Sequence, residues 1–177
     1  MRLLLVLSCL TLFACNQTGN QSGAIAQTAE QEEQTVRTLV TSLNEGMARA
    51  FTTGGIDTDS LMDYYYERDI YYITPWGWSE PLDSTKSRIR RSSARIQDYT
   101  NRVENLEVKV YGDGAYASYI FRQNYLVNGS QLEEYLPTTV ILERRGDRWK
   151  IVRMHRSTDY ETFQQYIAMQ QRQEAGQ

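Results

Sequence analysis

The sequence predicts an α+β domain in which a strongly bent antiparallel sheet wraps one side of the helices that precede it. Two patterns support this fold class. Before about residue 100, apolar residues recur at three- and four-residue steps, whereas apolar and polar residues alternate beyond Asn101. Helices followed by a run of strands are typical of an α+β layer arrangement. Because helices cover only part of such a sheet, it forms a cone with one open end, and an interior pocket is expected.

Three helices are predicted in the first half of the chain. The first has its apolar face between Val36 and Phe51 and ends at Gly54-Gly55. Asp57 or Thr58 begins a short second helix. The third begins at Asp83 or Ser84, buries Ile89 and Ile96, and directs its basic residues into solvent; these are Lys86, Arg88, Arg90, Arg91 and Arg95.

Strands make up most of the remaining chain. A first strand, Ile70 to Thr74, lies between the second and third helices and ends at Pro75 and the turn Trp76-Gly77-Trp78. Four more are predicted at Leu106–Val110, Ala115–Val127, Leu132–Arg145 and Arg148–Ser157. Asn128-Gly129 favours a tight hairpin, because both residues tolerate the positive φ of a type I′ turn. Thr158-x-x-Glu161 predicts a capping box that opens a final helix, with a frayed tail at its end.

The pattern of the N-terminal residues indicates a secretory signal. Arg2 precedes an uncharged apolar stretch from Leu3 to Phe13, which is shorter than the roughly 20 residues that span a bilayer. Its ending, Leu12-Phe13-Ala14-Cys15, resembles a bacterial lipoprotein signal, in which the cysteine is acylated and becomes the first mature residue. The alternative is an ordinary signal peptide that happens to contain Cys15.

This resemblance implies a location and an organisation. Residues 1–14 are the signal peptide, and residues 15–31 are a flexible, Gln- and Ser-rich tether that begins with the lipidated Cys15. The protein is expected to be anchored by lipid to a membrane of the bacterial cell envelope. In a cell with two membranes, Asn16 after the cysteine resembles lipoproteins sent to the outer membrane, on its periplasmic side or surface.

Composition excludes several classes of site. The formal net charge is −3, which gives no electrostatic reason to expect nucleic-acid binding. The two cysteines are Cys9 and Cys15, so the folded part has no disulfide, and the single His155 excludes a His-rich zinc site within one chain. Neither a metal nor a cofactor is predicted. The 13 tyrosines and 3 tryptophans suit a half-wet cavity or an interface.

The block from Gly112 to Ser157 resembles the nuclear transport factor 2-like (NTF2-like) superfamily, in particular SnoaL-like domains and the association domain of calcium/calmodulin-dependent protein kinase II. Two stretches carry the match: Tyr119-Ile120 followed by Tyr125-Leu126, and Arg144 to Val152 followed by Met154-His155-Arg156-Ser157. The resemblance implies a cystatin-like cone as a single domain over residues 32–160, followed by a C-terminal helix and frayed tail at 161–177. It also implies a homodimer or larger homo-oligomer.

Few residues of the pocket in the kinase association domain have counterparts in this sequence. That pocket would have arginines at three strand positions and a histidine on the third helix, but only Arg156 matches. The other positions hold Phe121, Val140 and Thr85, and Arg122 is one residue out of register and so faces the other side of the sheet. Isomerase-type chemistry needs a carboxylate base in the cavity, and no Asp or Glu is identified at the mid-strand positions.

Arg156 and a set of aromatic residues are the predicted ligand-binding residues. Arg156 shares its strand face with Val152 and Met154, so its charge must meet an anionic ligand or pair with Glu80 or Asp83. The aromatic candidates are Tyr65, Tyr72, Trp76, Trp78, Tyr119 and Tyr135. These rings line the pocket and its mouth, or they belong to the core and an oligomer interface.

His155 has two interpretations. It is either a general base in the cone, or a structural strand histidine that shares a face with Trp149, Ile151 and Arg153. We expect a lipoprotein whose cone binds a small apolar or anionic ligand, or a partner segment, without catalysis. The alternatives are an isomerase, cyclase or dehydratase that uses His155 and a tyrosine hydroxyl, and an oligomeric assembly module whose cone is filled by its own side chains.

Overall fold

The structure is a computed structural model and describes residues 18–174 of the 177-residue chain. It contains four helices and six strands. In chain order they are α1 (Thr18–Thr53), α2 (Thr58–Tyr65), β1 (Tyr66–Ile73), β2 (Ser79–Glu80), α3 (Leu82–Ser93), β3 (Ile96–Tyr111), β4 (Gly114–Val127), β5 (Ser130–Arg145), β6 (Arg148–Arg156) and α4 (Tyr160–Glu174). The signal sequence and Cys15 lie outside the described residues.

The six strands form one curved, unclosed sheet in the order β2-β1-β6-β5-β4-β3. Strands β3 to β6 are an antiparallel meander, and β1 adds to β6 in parallel. Asn128 and Gly129 join β4 to β5 with φ values of 50° and 76°, as the hairpin prediction requires. The predicted α+β fold, with a bent sheet around N-terminal helices, is confirmed.

The core lies between α1 and the concave face of the sheet. Val36, Val40 and Leu43 of α1 are at most 2 % exposed, and they pack with inward residues of the strands such as Val140 and Ile151. The three- and four-residue spacing in α1 and the alternation in the strands both correspond to buried faces. Arg37 also joins α1 to the sheet by donating to the backbone oxygen of Leu106 over 2.6 Å.

A β-bulge in β6 changes which residues face inward. Leu142 pairs with Ile151 but its neighbour Ile141 pairs with Arg153, so Val152 is an extra residue in β6. Before the bulge Trp149 and Ile151 point inward; after it Met154 and Arg156 do. The expectation of strict alternation is therefore wrong here. His155 does not share a face with Trp149 and Ile151, although it does share one with Arg153.

Helix α1 begins earlier than the composition predicts. The structure continues it back to Thr18, so residues 18–31 are helical and not the expected flexible coil. Extending an existing helix adds one hydrogen bond per ordered residue without a new nucleation step. The stretch before the packed part is rich in Ala, Gln and Glu, which are good helix formers.

Helix α3 differs from the prediction in its limits and in its solvent-facing residues. Pro81, and not Asp83 or Ser84, is the N-cap, and Ile96 begins β3 and does not belong to the helix. Lys86 is 8 % exposed and pairs with Asp63. Side chains on α2 and β2 thus take up charges that the pattern assigned to solvent.

The other helix starts agree more closely with the sequence. The Asp57 side chain accepts hydrogen bonds from the backbone of Asp59 and Ser60 and caps α2 as predicted. In α4 the cap is Asp159, whose Oδ1 accepts from the Thr162 backbone N–H over 2.8 Å, and not Thr158. Helix α4 runs to Glu174, beyond the expected start of fraying. Within residues 18–174, no helix combines the length and apolar character needed to cross a bilayer.

Candidate functional site: a cavity with one unpaired cation and one buried carboxyl

The cone encloses a cavity of about 220 Å³. Its lining comes from all four helices, from five of the strands and from the turn after β1. Most of the wall is apolar or aromatic; these residues are Met47, Phe51, Met62, Tyr66, Ile70, Tyr72, Pro75, Trp76, Trp78, Leu82, Ile89, Ile96, Tyr99, Phe121, Tyr125, Leu136, Met154 and Tyr166. A cone filled by its own side chains, as in the assembly-module hypothesis, is not what the structure has.

Arg156 points into this cavity from the end of β6. Its guanidinium carbon lies 4.6 Å from the centroid of the Phe121 ring, and its Nε atom is buried without a hydrogen-bond partner. No carboxylate within residues 18–174 forms an ion pair with it. The predicted bridge from Arg156 to Glu80 or Asp83 is therefore absent from the described part of the chain.

The electrostatic surroundings keep Arg156 charged. Burial alone disfavours the charged form, but interactions with the hydroxyls of Tyr72, Tyr119 and Tyr66 outweigh it and raise the pKa of Arg156 above its ordinary value. A cation enclosed in this way attracts any anion that can enter.

Arg88, from α3, is a second arginine in the lining, and it is already paired. Its Nε and Nη2 atoms donate to the Glu80 carboxylate over 2.9 to 3.2 Å, and Thr85 donates to the same group over 3.0 Å. Burial opposes the charge of Arg88, and the Glu80 hydrogen bond raises its pKa. The pair adds no net charge to the cavity.

Glu134, the fifth residue of β5, is the single carboxyl that lines the cavity among residues 18–174. It is 4 % exposed and accepts hydrogen bonds from the Gln123 amide and the Tyr166 hydroxyl. Burial raises the pKa of Glu134 to about 7, against the lowering effects of a Tyr125 hydrogen bond and of Arg156. This carboxyl therefore gains and loses a proton near neutral pH.

Hydroxyl and amide groups extend from Glu134 across three elements. The hydroxyls of Tyr125 on β4 and Tyr166 on α4 are 3.0 Å apart. On the other side, Gln123 accepts from the Tyr99 hydroxyl of β3 over 2.8 Å. Burial raises the pKa of Tyr99 to about 12 and also raises that of Tyr125, so both remain neutral hydrogen-bond donors.

An aromatic rim lies where α4 meets the turn after β1. The Trp76 ring packs edge to face on the Tyr166 ring, with 4.5 Å between the centroids. The centroid of the Phe163 ring lies 6.5 Å from that of Trp76. Trp78 is 55 % exposed although it lines the cavity, which places it at the opening. Rings at an opening can stack on a flat or apolar guest.

Four of the seven predicted ligand-binding residues line the cavity: Arg156, Tyr72, Trp76 and Trp78. Tyr119 is buried beside it, 2 % exposed, with no hydrogen-bond partner for its hydroxyl. Tyr65 packs edge to face on Tyr64. Tyr135 lies on the outer face, under the guanidinium of Arg122 at 4.6 Å. Its position follows from strand parity, because its neighbour Glu134 points inward.

His155 lies outside the cavity. Its side chain is exposed, and its pairing partners on either side are Thr139 of β5 and Ile73 of β1. The bulge at Val152 leaves Met154 and Arg156 as the inward residues at this end of β6. A general base in the cone needs an inward side chain, so the structure does not bring His155 together with the site.

Two parts of the site were missed from the sequence. The expectation that no strand Asp or Glu is available in the cavity as a carboxylate base is wrong, because Glu134 of β5 lines it. Its signal was available: it falls in the buried alternation with Leu132 and Leu136. Tyr166 lies on α4, and no local pattern indicated that this helix folds back over the cone.

Among the residues whose positions are described, no group of three or more His, Cys, Asp and Glu side chains could hold a metal ion.

Solved structures with similar folds come from several kinds of protein. A protein of Novosphingobium aromaticivorans, provisionally assigned as a scytalone dehydratase, is 9 % identical with a TM-score of 0.63 over 76 % of this chain and 88 % of its own. A provisionally assigned dehydratase of the NTF2-like family from Streptomyces avermitilis is 16 % identical, with a TM-score of 0.62 over 73 % and 97 %. The CaMKII association domain of C. elegans is 15 % identical, with a TM-score of 0.59 over 74 % and 98 %. At these identities the likeness concerns the fold alone.

Sequence comparison identifies the family. No curated protein matches the chain. The family profile described as SnoaL-like domain matches residues 40–161, which includes every strand and most of the cavity lining. The chain belongs to the SnoaL-like domain family and has an NTF2-like, cystatin-like fold.

Proposed function

We propose that the cavity binds a small, partly apolar organic anion. The main support is the guanidinium of half-buried Arg156, which lies over the Phe121 ring. Its Nε atom is buried without a hydrogen-bond partner, and no carboxylate among residues 18–174 pairs with it. A partly buried cation without a partner is unfavourable, and a hydrogen-bonded anion offsets that cost. The edge of a guanidinium stacked on a ring remains available for two parallel hydrogen bonds to a carboxylate.

The walls and the volume limit the rest of the guest. Aromatic side chains such as Trp76, Tyr99 and Phe51 favour a flat or apolar body. A cavity of about 220 Å³ is smaller than the roughly 300–1,000 Å³ of drug-sized sites. A single-ring carboxylic acid has the combination of size, apolar surface and charge that this space accepts.

Benzoate and its neutral isostere benzamide test this function in a thermal-shift assay. We expect benzoate to raise the Tm of the native protein, and benzamide to leave it unchanged. Arg156→Gln should abolish the benzoate shift. The matched control is Arg153→Gln, which changes an exposed arginine on the outer face of the same strand. Equal shifts for benzoate and benzamide, or a benzoate shift that survives in Arg156→Gln, would contradict anion binding at Arg156.

A second candidate is an enzyme, and Glu134 is the observation that favours it. A buried carboxyl that titrates near neutral pH can move a proton to and from a bound substrate. Two of the similar structures are provisionally assigned as dehydratases. In this function Glu134 replaces His155 as the acid–base group, and a tyrosine such as Tyr166 supplies a hydroxyl.

Proton exchange tests the enzyme candidate directly. Phenylpyruvate in D₂O should lose a hydrogen from the carbon beside its ketone to Glu134 and regain deuterium, which NMR detects. Native protein must exchange faster than Glu134→Gln at equal concentration. Equal rates in both proteins leave binding without catalysis as the function.

We also propose that a second copy of the chain covers the outer face of the sheet. One row of paired residues there contains Tyr71, Arg153, Ile141 and Tyr116, and Ile141 and Tyr71 are 44 % and 49 % exposed. A similar structure is named as an association domain. Light scattering at micromolar concentration should give at least a dimer, and Ile141→Glu should give a monomer.

The proposed location is the bacterial cell envelope, through a lipid on Cys15. The support is the apolar run that ends in Leu12-Phe13-Ala14-Cys15. Labelled palmitate should enter the native protein and the Cys9→Ser control but not Cys15→Ser. Label in Cys15→Ser would contradict this anchor.

A further inference from the structure

The charges inside the cavity form a simple set. In the described part of the chain, three charged side chains line it: Arg88, Arg156 and Glu134. Glu80 already compensates Arg88 through a two-point contact. The remaining charge is therefore +1 when Glu134 holds a proton and zero when Glu134 is ionised.

Arg156 and Glu134 border the same small space. Phe121, which the Arg156 guanidinium covers, pairs across the sheet with Leu136, and the next inward pair is Gln123 with Glu134. Successive inward positions on a strand are about 6.7 Å apart, two residues at roughly 3.3–3.4 Å each. A molecule the size of one aromatic ring therefore comes close to both groups.

The groups around Glu134 come from every element packed on it. They are Tyr99 on β3, Gln123 and Tyr125 on β4, Arg156 on β6, Arg88 on α3 and Tyr166 on α4. The tyrosines and the amide are neutral near pH 7, and no second carboxylate lines this part of the described cavity. The charge of the guest therefore interacts mainly with Arg156 and Glu134.

We infer that the guest is a monoanion of the carboxylate class, and that it enters together with one proton, which Glu134 takes up from water. This inference rests on the function proposed above. A carboxylate held by Arg156 adds a like charge beside Glu134, and like charges disfavour ionisation. Phosphate monoesters carry about −1.5 to −2 at pH 7, more than one uncompensated cation balances.

Protonation of Glu134 should strengthen the binding of the guest, so the affinity should depend on pH. Glu134 titrates near pH 7 without a guest, and an anionic guest shifts the carboxyl further towards its protonated form. Affinity should be constant at pH values where Glu134 is already protonated and should fall where a proton must be added. For complete uptake, the Kd for the guest increases roughly tenfold between pH 6 and pH 8.

Calorimetric titration of the full chain with benzoate measures the proton directly. At pH 7.5 the binding enthalpy is compared among Tris, imidazole and triethanolamine buffers, whose ionisation enthalpies differ and which contain no competing carboxylate. The expected uptake is roughly 0.8 proton per benzoate bound. Glu134→Gln should bind benzoate with no uptake and with a Kd independent of pH. Glu133→Gln, the exposed neighbour on β5, should behave as the native protein does.

Each other result has a definite meaning. Benzoate binding without proton uptake overturns this inference and leaves anion binding intact. Undiminished uptake in Glu134→Gln assigns the proton to another group and also overturns it. Phenyl phosphate that binds as tightly as benzoate contradicts the monoanion class. If neither native protein nor Glu134→Gln binds benzoate at any pH from 6 to 8, the proposed function fails and this inference fails with it.

Discussion

Replacing Glu134 with glutamine should remove the stability that the native protein loses as the pH rises from 4.5 to 8. In the unfolded chain this carboxyl titrates at its ordinary value of 4.5, and in the folded protein burial raises its pKa to about 7. The folded state therefore binds more protons between these values, and its stability falls as the pH rises through them. The difference of about 2.5 pKa units corresponds to roughly 3 kcal/mol at about 1.36 kcal/mol per unit.

The side chain is 4 % exposed, so solvent screening reduces this estimate little. Glutamine has nearly the same shape and does not titrate. The unfolding free energy of Glu134→Gln minus that of the native protein should thus increase by about 3 kcal/mol between pH 4.5 and pH 8. For a chain of this size that corresponds to a relative gain in Tm of roughly 6–12 °C.

Urea denaturation and thermal unfolding at pH 4.5, 6, 7 and 8 measure this difference. The control is Glu133→Gln, an exposed carboxyl on the same strand, whose effect should remain within about 0.5 kcal/mol at every pH. If the difference in unfolding free energy between Glu134→Gln and the native protein did not change with pH, Glu134 would titrate as an ordinary carboxyl. Burial would then leave the pKa of Glu134 unchanged.

Three further substitutions test the packing around the cavity. Tyr166→Phe removes a hydroxyl that donates to Glu134. The free energy of unfolding by denaturant should fall by about 1–3 kcal/mol at pH 8, and by less at pH 5, where the carboxyl is protonated. A loss that does not depend on pH would contradict the contact. Asp159→Ala removes the α4 cap, so it should cost about 1 kcal/mol and speed hydrogen exchange in that helix alone; unchanged exchange refutes the capping role. Arg88→Met leaves the largely buried Glu80 without its cation and should cost about 1–3 kcal/mol, since Arg88 itself is partly exposed. Adding Glu80→Met should recover most of this loss, and additive losses would contradict the pairing.

Local patterns in the sequence predict the elements well, because each element buries one face against the same core. The spacing of Val36, Val40 and Leu43 requires a helix, and the alternation from Leu132 to Leu142 requires a strand with a buried side. The N-terminal extension of α1 is not predicted, since the sequence of residues 18–31 has no apolar stripe at helical spacing.

The site was harder to predict than the fold, for two physical reasons. A single extra residue, Val152, reverses the inward and outward faces of β6 beyond it, and alternation alone does not reveal such a bulge. Tyr166 reaches the cavity only because α4 turns back across the open end of the cone. Glu134 is different, because its position in the alternation between Leu132 and Leu136 is by itself enough to predict that it points inward.

Crystals grown with 4-bromobenzoate test the central claim most directly, because anomalous scattering locates the bromine without ambiguity. We expect one strong bromine peak inside the cone, with the carboxylate within hydrogen-bond distance of the Arg156 guanidinium. The ring should lie among Trp76, Tyr99 and Phe121. A bromine peak only outside the cone, or an empty cavity at saturating concentration, would contradict the account of this cavity as an anion site.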